Sequence, residues 1–545
     1  MKVKIVLVGM FLFLALAATG LRAEDICTTA VKTEAGLVAG LHETGTDTCV
    51  WRGIPYAAPP VGELRWKAPQ PAVPWTGIRT ASKWGNRCIQ SGIMEYVNSD
   101  PSRKMSEDCL FLNVWRPNKP GKFPVMFWIH GGGYSGGTGN SPMYWGDRMA
   151  AAGDVVVVSI NYRLNIFGFL TLPGLRDEDP NQSVGSYGSL DQVAALKWAR
   201  NNVAKFGGDP DNVTIFGESA GGWSVCSMLA TPLAKGLFAK AIIESGGCEA
   251  SPNLERGYNQ GKGLAEQLKC GPDDLACLRK LPAKKLLSAL ESELSGGFVY
   301  GPHLDGYFLT ATPLATIRSG NFNNVPLIAG FNDNEANALA KLDRDLSKAK
   351  PDQYTTMMTS LFEVSPEESD RLASLYPLSA FENSPKIAYG QIATDAALAC
   401  PTYLGLASAA KNQKDVYLYR FDWHNMLLGK TIGAVHSLEM PFVFDSADRR
   451  PLSLLLKNRG VYKDEMKTLS RTVQDYWLSF AKSGNPNREG LPVWPVFQAD
   501  SQKTQVLDAN VRAESFGPEL QDRCAFWDEY SKTHNPVHES LGVKK

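Results

Sequence analysis

Ser219 stands in VTIFGESAGG (213–222), where a β-branched run halts at Gly217-Glu218-Ser219-Ala220-Gly221-Gly222 and a helix-like WSVCSMLA follows. A serine on so sharp a strand-to-helix turn has its hydroxyl pushed out of the sheet, the nucleophile-elbow pattern. Gly217 and Gly221 suit such a turn, which needs positive φ or close backbone approach. The pentapeptide alone is a weak signal, and GYSGG (133–137) also matches it around Ser135. That second match lies in a glycine-rich loop with no apolar helix after it, so context selects Ser219 as the nucleophile.

A serine hydroxyl is a poor nucleophile at neutral pH and needs a base within hydrogen-bond reach, oriented by a third group. Around an elbow of this kind the acid and then the histidine follow the nucleophile along the chain. His42 and His130 precede Ser219, which leaves His303, His424, His436, His534 and His538. His303 comes before the best acid, and His534 and His538 fall in a polar tail. His436, in the loop sequence KTIGAVHSLEMPFVF, is the expected base, with His424 behind it. The acid is expected where VPLIAG runs into FNDNEANAL, at the carboxyl end of a strand. Asp333 and Glu335 both fit there, and spacing does not separate them. Asp305, in GPHLDGYF, is a weaker rival, expected to be a solvated turn carboxylate.

An oxyanion needs donors already aimed at the developing charge, each worth about 3 kcal/mol of transition-state stabilisation. His130-Gly131-Gly132-Gly133 directly after VMFWI is the loop type that presents bare backbone N–H groups, and the amide of Ala220 follows the nucleophile. No G-x-x-x-x-G-K-[ST] pattern accompanies these glycines, so a phosphate-binding loop is not indicated.

These groups require a scaffold of strands ending at one edge. From Val125 onward apolar strands (VMFWI, VVVVSINYRL, VTIFG, KAIIE, VPLIAG) alternate with amphipathic stretches such as LDQVAALKWARNNVAKF (190–206). That alternation predicts an α/β fold with a mostly parallel central sheet and helices on both faces. The last sheet strand is expected at 415–423, and 252–320, 341–413 and 450–482 are read as helical insertions above the sheet. No Pro/Gly/Ser-rich linker marks a boundary, so residues 24–545 are expected to form one catalytic domain.

Lys2 and Lys4 precede an apolar run from Ile5 to Ala18, with small residues before Glu24. This is the layout of a secretory signal peptide over 1–23, too short for a comfortable membrane span, and it predicts a secreted or periplasmic protein without a stable membrane anchor. The chain has 56 basic and 56 acidic residues, so no field favours nucleic acid. In an oxidising compartment the ten cysteines read as disulfides. No zinc spacing appears, and neither metal nor cofactor is expected. Cys27 and Cys49 bracket a segment whose GLVAG and VWRGI halves suggest a small hairpin, which makes their pairing plausible.

With these residues in hand, the chain resembles the type-B carboxylesterase and cholinesterase family of α/β-hydrolases along almost its whole mature length. The colinear blocks are RGIPYAAPPVGELRW (52–66), SEDCLFLNVW (106–115), IHGGGY, SINYRL, GSLDQVAALKWARNNVAKFGGDPDNVTIFGESAGG, NDNEA and AVHSLEMPFVF. The resemblance implies a triad of Ser219, Glu335 and His436, and it is the resemblance that chooses Glu335 over Asp333. It implies Gly132, Gly133 and Ala220 as oxyanion donors, a supporting role for Glu218 and Ser245, and an ion pair of Arg65 with Glu107. It also implies disulfides Cys88–Cys109, Cys270–Cys277 and Cys400–Cys524, and leaves Cys226 and Cys248 without an assigned partner. Ser99 occupies the position, ten residues before Cys109, where cholinesterases carry a tryptophan for quaternary ammonium. Choline esters are therefore not expected as substrates. The nearby Arg103 and Lys104 are read as a solvated pair.

The expected function is that of a serine carboxylesterase acting on a small-molecule ester through an acyl-enzyme. The alternatives carried are an esterase for polyacid side-chain esters of a natural product or toxin of the fumonisin type, and a non-catalytic cholinesterase-like binding protein.

Overall fold

The computed structural model describes residues 25–534 apart from 91–101, 103, 249–250, 252–253, 294–299, 344–345, 427 and 450–461. The expected signal peptide, Ser99, Arg103 and His538 lie outside the described residues.

The strands among these residues are β1 (Val31–Lys32), β2 (Leu37–Ala39), β3 (Leu41–His42), β4 (Thr48–Pro55), β5 (Ile78–Thr80), β6 (Phe111–Pro117) and β7 (Phe123–Ile129). They continue as β8 (Val156–Ile160), β9 (Gly208–Glu218), β10 (Lys240–Glu244), β11 (Leu327–Asn332), β12 (Val416–Phe421), β13 (Lys503–Leu507) and β14 (Arg512–Ser515). Eleven of them form one sheet in the order β14-β13-β12-β11-β10-β9-β7-β8-β6-β4-β3, and β1, β2 and β5 form a small second sheet. From β8 across to β13 every pairing is parallel, with antiparallel strands only towards the two edges.

The near-continuous apolar runs of the central strands follow from burial of both faces. In β7, Val125, Phe127 and Ile129 join one core, while Met126 and Trp128 join the other. The first core takes the helices Tyr187–Asn202, Ala220–Ala230 and Cys400–Ala409. The second is closed by the helix Tyr462–Ser483, which directs Met466, Leu469, Val473, Tyr476, Trp477 and Phe480 inward. Their spacing of three and four residues is the helical period, and each such side chain contributes about 1.5–3 kcal/mol on burial.

Three expectations about the scaffold need correction. The sheet does not end at 415–423, because β13 and β14 follow β12 at the edge. β13 (KTQVL) is buried beyond Lys503 but opens on three polar residues, and β14 (RAES) alternates exposed with half-buried positions, so neither carries the continuous apolar run of a central strand. Residues 462–483 are also not an insertion above the sheet; their apolar stripe covers one of its faces. Of the N-terminal hairpin, only β3 pairs with β4, while β2 joins the small sheet.

Strand order positions the site. β7 and β9 are neighbours, and the connection from β7 runs to β8 on one side while that from β9 runs to β10 on the other. Beyond the carboxyl ends of two such strands an open α/β sheet has its ligand crevice. The loop starting at His130 leaves β7 there, and Ser219 leaves β9 beside it.

Candidate active site

Ser219 joins β9 to the helix Ala220–Ala230 with φ 59° and ψ −125°, a conformation that costs a non-glycine residue free energy. The strain sits on the serine and not on its glycine neighbours. Gly217 and Gly221 are required by close approach instead: a β-carbon on Gly221 would lie 2.0 Å from the carbonyl oxygen of Ile129, and one on Gly217 2.6 Å from the backbone of Gly221. The Ser219 N–H donates to the Glu244 carbonyl at 2.9 Å, and its own carbonyl accepts from Trp223 N–H at 2.9 Å. The elbow is thereby tied both to the neighbouring strand and to its helix.

The glycine loop runs against this elbow. A β-carbon on Gly131 would stand 3.0 Å from the Ser219 β-carbon, and Gly132 and Gly133 have φ of 114° and 59°. No acceptor among the described residues takes the N–H of Gly132 or Gly133. The Ala220 amide opens its helix, where first-turn N–H groups lack intrahelical partners. His130 braces the loop from beneath: its ring stacks on Tyr162 at 4.4 Å, and the Tyr162 hydroxyl donates to its carbonyl at 2.8 Å. Burial pushes the His130 imidazole down to about 4, so it stays neutral. Ser135 lies within this loop, its hydroxyl donating to the Gly133 carbonyl at 3.2 Å.

Across the crevice, His436 Nδ1 lies 2.7 Å from Oε2 of Glu335, which is almost fully buried after β11. Oε1 of Glu335 accepts the backbone N–H of Asn332 at 2.7 Å. Glu335 thus spends one oxygen on its own loop and the other on the imidazole. Asp333 turns outward to Arg420 Nε at 3.3 Å, and this geometry separates two carboxylates that spacing left equivalent. His436 Nε2 faces Glu218 Oε1 at 3.2 Å, and Ser437 donates to the same oxygen at 2.5 Å. Burial alone would lower the imidazole pKa, but Glu218 and Glu335 outweigh it and push it up to about 10. Burial likewise lifts the Glu218 carboxyl, against the pull of His436.

Ser245 is fully buried, and its hydroxyl donates to Glu439 Oε1 at 3.3 Å, so it supports Glu439 and not the acid directly. Glu439 also accepts from Asn332 Nδ2 at 2.5 Å, and burial followed by the charges of Glu218 and Glu335 raises its pKa. Glu244 pairs in register with Glu218, accepts from Trp477 Nε1 at 2.6 Å, and is raised well above the usual carboxylate range by burial. Reading the sequence missed Glu439, Ser437 and Asn332. The available signals were the position of Glu439 three residues after His436 in HSLE, and that of Asn332 at the end of its strand.

Among the described residues, the remaining histidines do not reach the His436–Glu335 pair. His424 is half exposed with Nδ1 2.8 Å from the Asp422 carbonyl, and His534 stacks on Tyr530 at 4.3 Å. His303 is buried with Nδ1 3.1 Å from the Gly185 carbonyl. Asp305 is a turn carboxylate but a buried one: Oδ1 accepts three backbone N–H groups (Tyr307, Phe308 and Leu309) and Oδ2 accepts Ser183 Oγ at 2.7 Å. That desolvation corrects the solvated reading, and it leaves Asp305 no free oxygen for a histidine. Lys104 is exposed.

Five disulfides link all ten cysteines: Cys27–Cys49, Cys88–Cys109, Cys226–Cys248, Cys270–Cys277 and Cys400–Cys524. The Cys226–Cys248 bridge, which sequence left unpaired, ties the helix after Ser219 to the chain leaving β10. Arg65 forms a two-pronged pair with Glu107 at 2.6 and 2.7 Å and donates to the carbonyls of Leu278, Arg279 and Leu281, joining the Cys88–Cys109 loop to the Cys270–Cys277 segment.

A family model described as the carboxylesterase family matches residues 27–527. Para-nitrobenzyl esterase of Bacillus subtilis is 37% identical over 500 residues, covering 90% of this chain and 97% of its own. Fumonisin B1 esterase of Sphingopyxis macrogoltabida is 34% identical over 474 residues, covering 86% of this chain and 84% of its own. A carboxylesterase of Geobacillus stearothermophilus superposes with a TM-score of 0.81 at 35% identity, covering 92% of this chain and all of that one.

Proposed function

This chain belongs to the carboxylesterase family and is a carboxylic ester hydrolase with the α/β-hydrolase fold, and from that premise we propose that Ser219, His436 and Glu335 carry out the hydrolysis through an acyl-enzyme. The observation that carries this reading is the 2.7 Å contact of His436 Nδ1 with the buried Glu335 carboxylate, on the far side of the imidazole from the elbow. Glu335 holds the proton on Nδ1, which makes Nε2, 3.2 Å from Glu218 Oε1 of the elbow, the basic nitrogen.

Ser219 Oγ attacks the ester carbonyl as His436 Nε2 takes its proton. The N–H groups of Gly132, Gly133 and Ala220 hold the oxyanion, and the imidazolium returns the proton to the leaving alcohol. Water activated by the same histidine then releases the acid. Glu218 and Ser245 support the imidazole and its surrounding carboxylates without touching the substrate.

The substrate is a small-molecule ester. Ser99 offers no aromatic face to a quaternary ammonium, so choline esters are not taken. Similarity to fumonisin B1 esterase supports a second reading, an ester bearing polyacid chains. The five disulfides, the leader-like residues 1–23 and the absence of a membrane-crossing helix among the described residues support export, with 24–545 as one catalytic domain.

The decisive experiment is hydrolysis of p-nitrophenyl butyrate by the mature protein and by Ser219→Ala, both shown to be folded. Turnover is expected to fall by about 10⁴ or more in the variant. Equal turnover in both would refute Ser219 as the nucleophile, and no turnover in either would favour the non-catalytic reading. Fumonisin B1 supplied as a competing ester separates the two substrate readings.

A further inference from the structure

Behind the imidazole one buried side chain joins the acid loop to the histidine loop, and Glu439 carries the link on to the chain leaving β10. Asn332 ends β11 with no exposed surface. Its backbone N–H holds Oε1 of Glu335 at 2.7 Å. Its side-chain Nδ2 donates to the carbonyl of Val435, immediately before His436, at 2.8 Å, and to Glu439 Oε2 at 2.5 Å. Glu439 in turn accepts Ser245 Oγ from the chain leaving β10. The neighbouring contacts form a short ladder between the same two segments. Asn334 N–H donates to the Ala434 carbonyl at 3.0 Å, Ala434 N–H donates to Asn334 Oδ1 at 3.1 Å, and His436 N–H donates to the Glu335 carbonyl at 3.3 Å.

We propose that Asn332 is a positioning residue for the hydrolysis, its amide latching the histidine loop onto the acid loop so that the imidazole meets Glu335 and Ser219 in register. The inference rests on the triad reading above. Asn332 touches neither substrate nor reacting atoms. It acts through the Val435 carbonyl, which sets where the backbone of His436 begins, and through Glu439, which lies three residues beyond it. The other ladder bonds come from backbone groups or from Asn334, which faces Ala434, so among the described residues Asn332 is the one that reaches Glu335 through its backbone and Val435 and Glu439 through its side chain. Both hydrogens of the amide are used, which makes Asn the residue type that the position needs: Asp would replace two donors with acceptors facing a carbonyl and a carboxylate. A misplacement of about 1 Å at a reacting group costs on the order of a hundredfold in rate, which sets the scale of the effect.

The test is steady-state hydrolysis of p-nitrophenyl butyrate across pH by wild type, Asn332→Ala, Asn332→Asp, and His436→Ala as the reference for the triad. Asn332→Ala is expected to lower kcat by roughly ten- to a hundredfold with KM little changed. The acidic limb of its kcat/KM profile is expected to move to lower pH, because Glu335, one of the three carboxylates facing His436 with Glu218 and Glu439, no longer holds the imidazole closely. Asn332→Asp is expected to lose at least as much kcat and serves as the second variant if Asn332→Ala does not fold. A wild-type kcat and acidic limb in a folded variant, with only the melting temperature lowered, would overturn the latch and leave Asn332 as packing. Retained activity in His436→Ala would instead overturn the triad reading, whatever Asn332 does.

Discussion

A β-carbon on Gly246 would lie 2.4 Å from the Cα of Gly222, so the helix after Ser219 and the chain leaving β10 meet backbone to backbone. Four residues further along that helix, Cys226 is bridged to Cys248, two residues beyond Gly246. Close approach and covalent bond act on the same pair of segments, one near the serine and the other a helical turn away.

These two contacts are expected to separate in their effects. Gly246→Ala forces the segments apart beside the elbow and should lower kcat for p-nitrophenyl butyrate by roughly a hundredfold, together with the denaturation midpoint. The paired change Cys226→Ala with Cys248→Ala leaves the glycine contact intact. Opening a loop of 22 residues should cost about 3 kcal/mol in chemical denaturation while kcat changes only a few-fold. A larger loss of kcat in the cysteine variant than in Gly246→Ala would reverse the assignment.

Two neighbouring acids of the same loop should behave differently. Glu335→Gln keeps the shape but lets the imidazole take the wrong tautomer, and kcat should fall by about 10⁴. Asp333→Asn removes only a half-exposed contact with Arg420 and should leave kcat unchanged and stability within about 1 kcal/mol. Titrating both variants with the same ester reads the difference directly.

The pH dependence follows from the carboxylates around His436. A base must be neutral to accept a proton, so kcat/KM falls as pH drops through the imidazole pKa. Burial opposes the charged ring, but Glu218 and Glu335 raise that pKa, so the acidic limb should lie above the ordinary histidine value of 6.5. Glu218→Gln removes one of the carboxylate charges facing the ring and should move the limb towards lower pH. A limb that stays in place, or moves upward, would show that Glu218 is not charged beside the ring in the working enzyme.

Much of this protein is legible in local pattern. Continuous apolar runs disclose strands buried on both faces, and the break from VTIFG to ESAGG discloses the elbow, because strand, turn and helix chemistry are set by neighbours in the chain. The bare glycines after His130 are legible for the same reason. The last two strands were not, since polar residues interrupt the apolar run in β13 and the edge strand β14 is half exposed, and 462–483 reads as a helix without revealing that its stripe closes a sheet face. The choice of Glu335 over Asp333 came from resemblance, and in the fold it rests on direction: one carboxylate turns into the crevice and the other towards Arg420. Asn332, Glu439 and the Cys226–Cys248 bridge joined the picture only in three dimensions. They bring together segments roughly twenty to two hundred residues apart, and hydrogen-bond geometry at such separations is set by how loops pack over the ends of strands, which depends on the whole sheet and not on the adjoining residues.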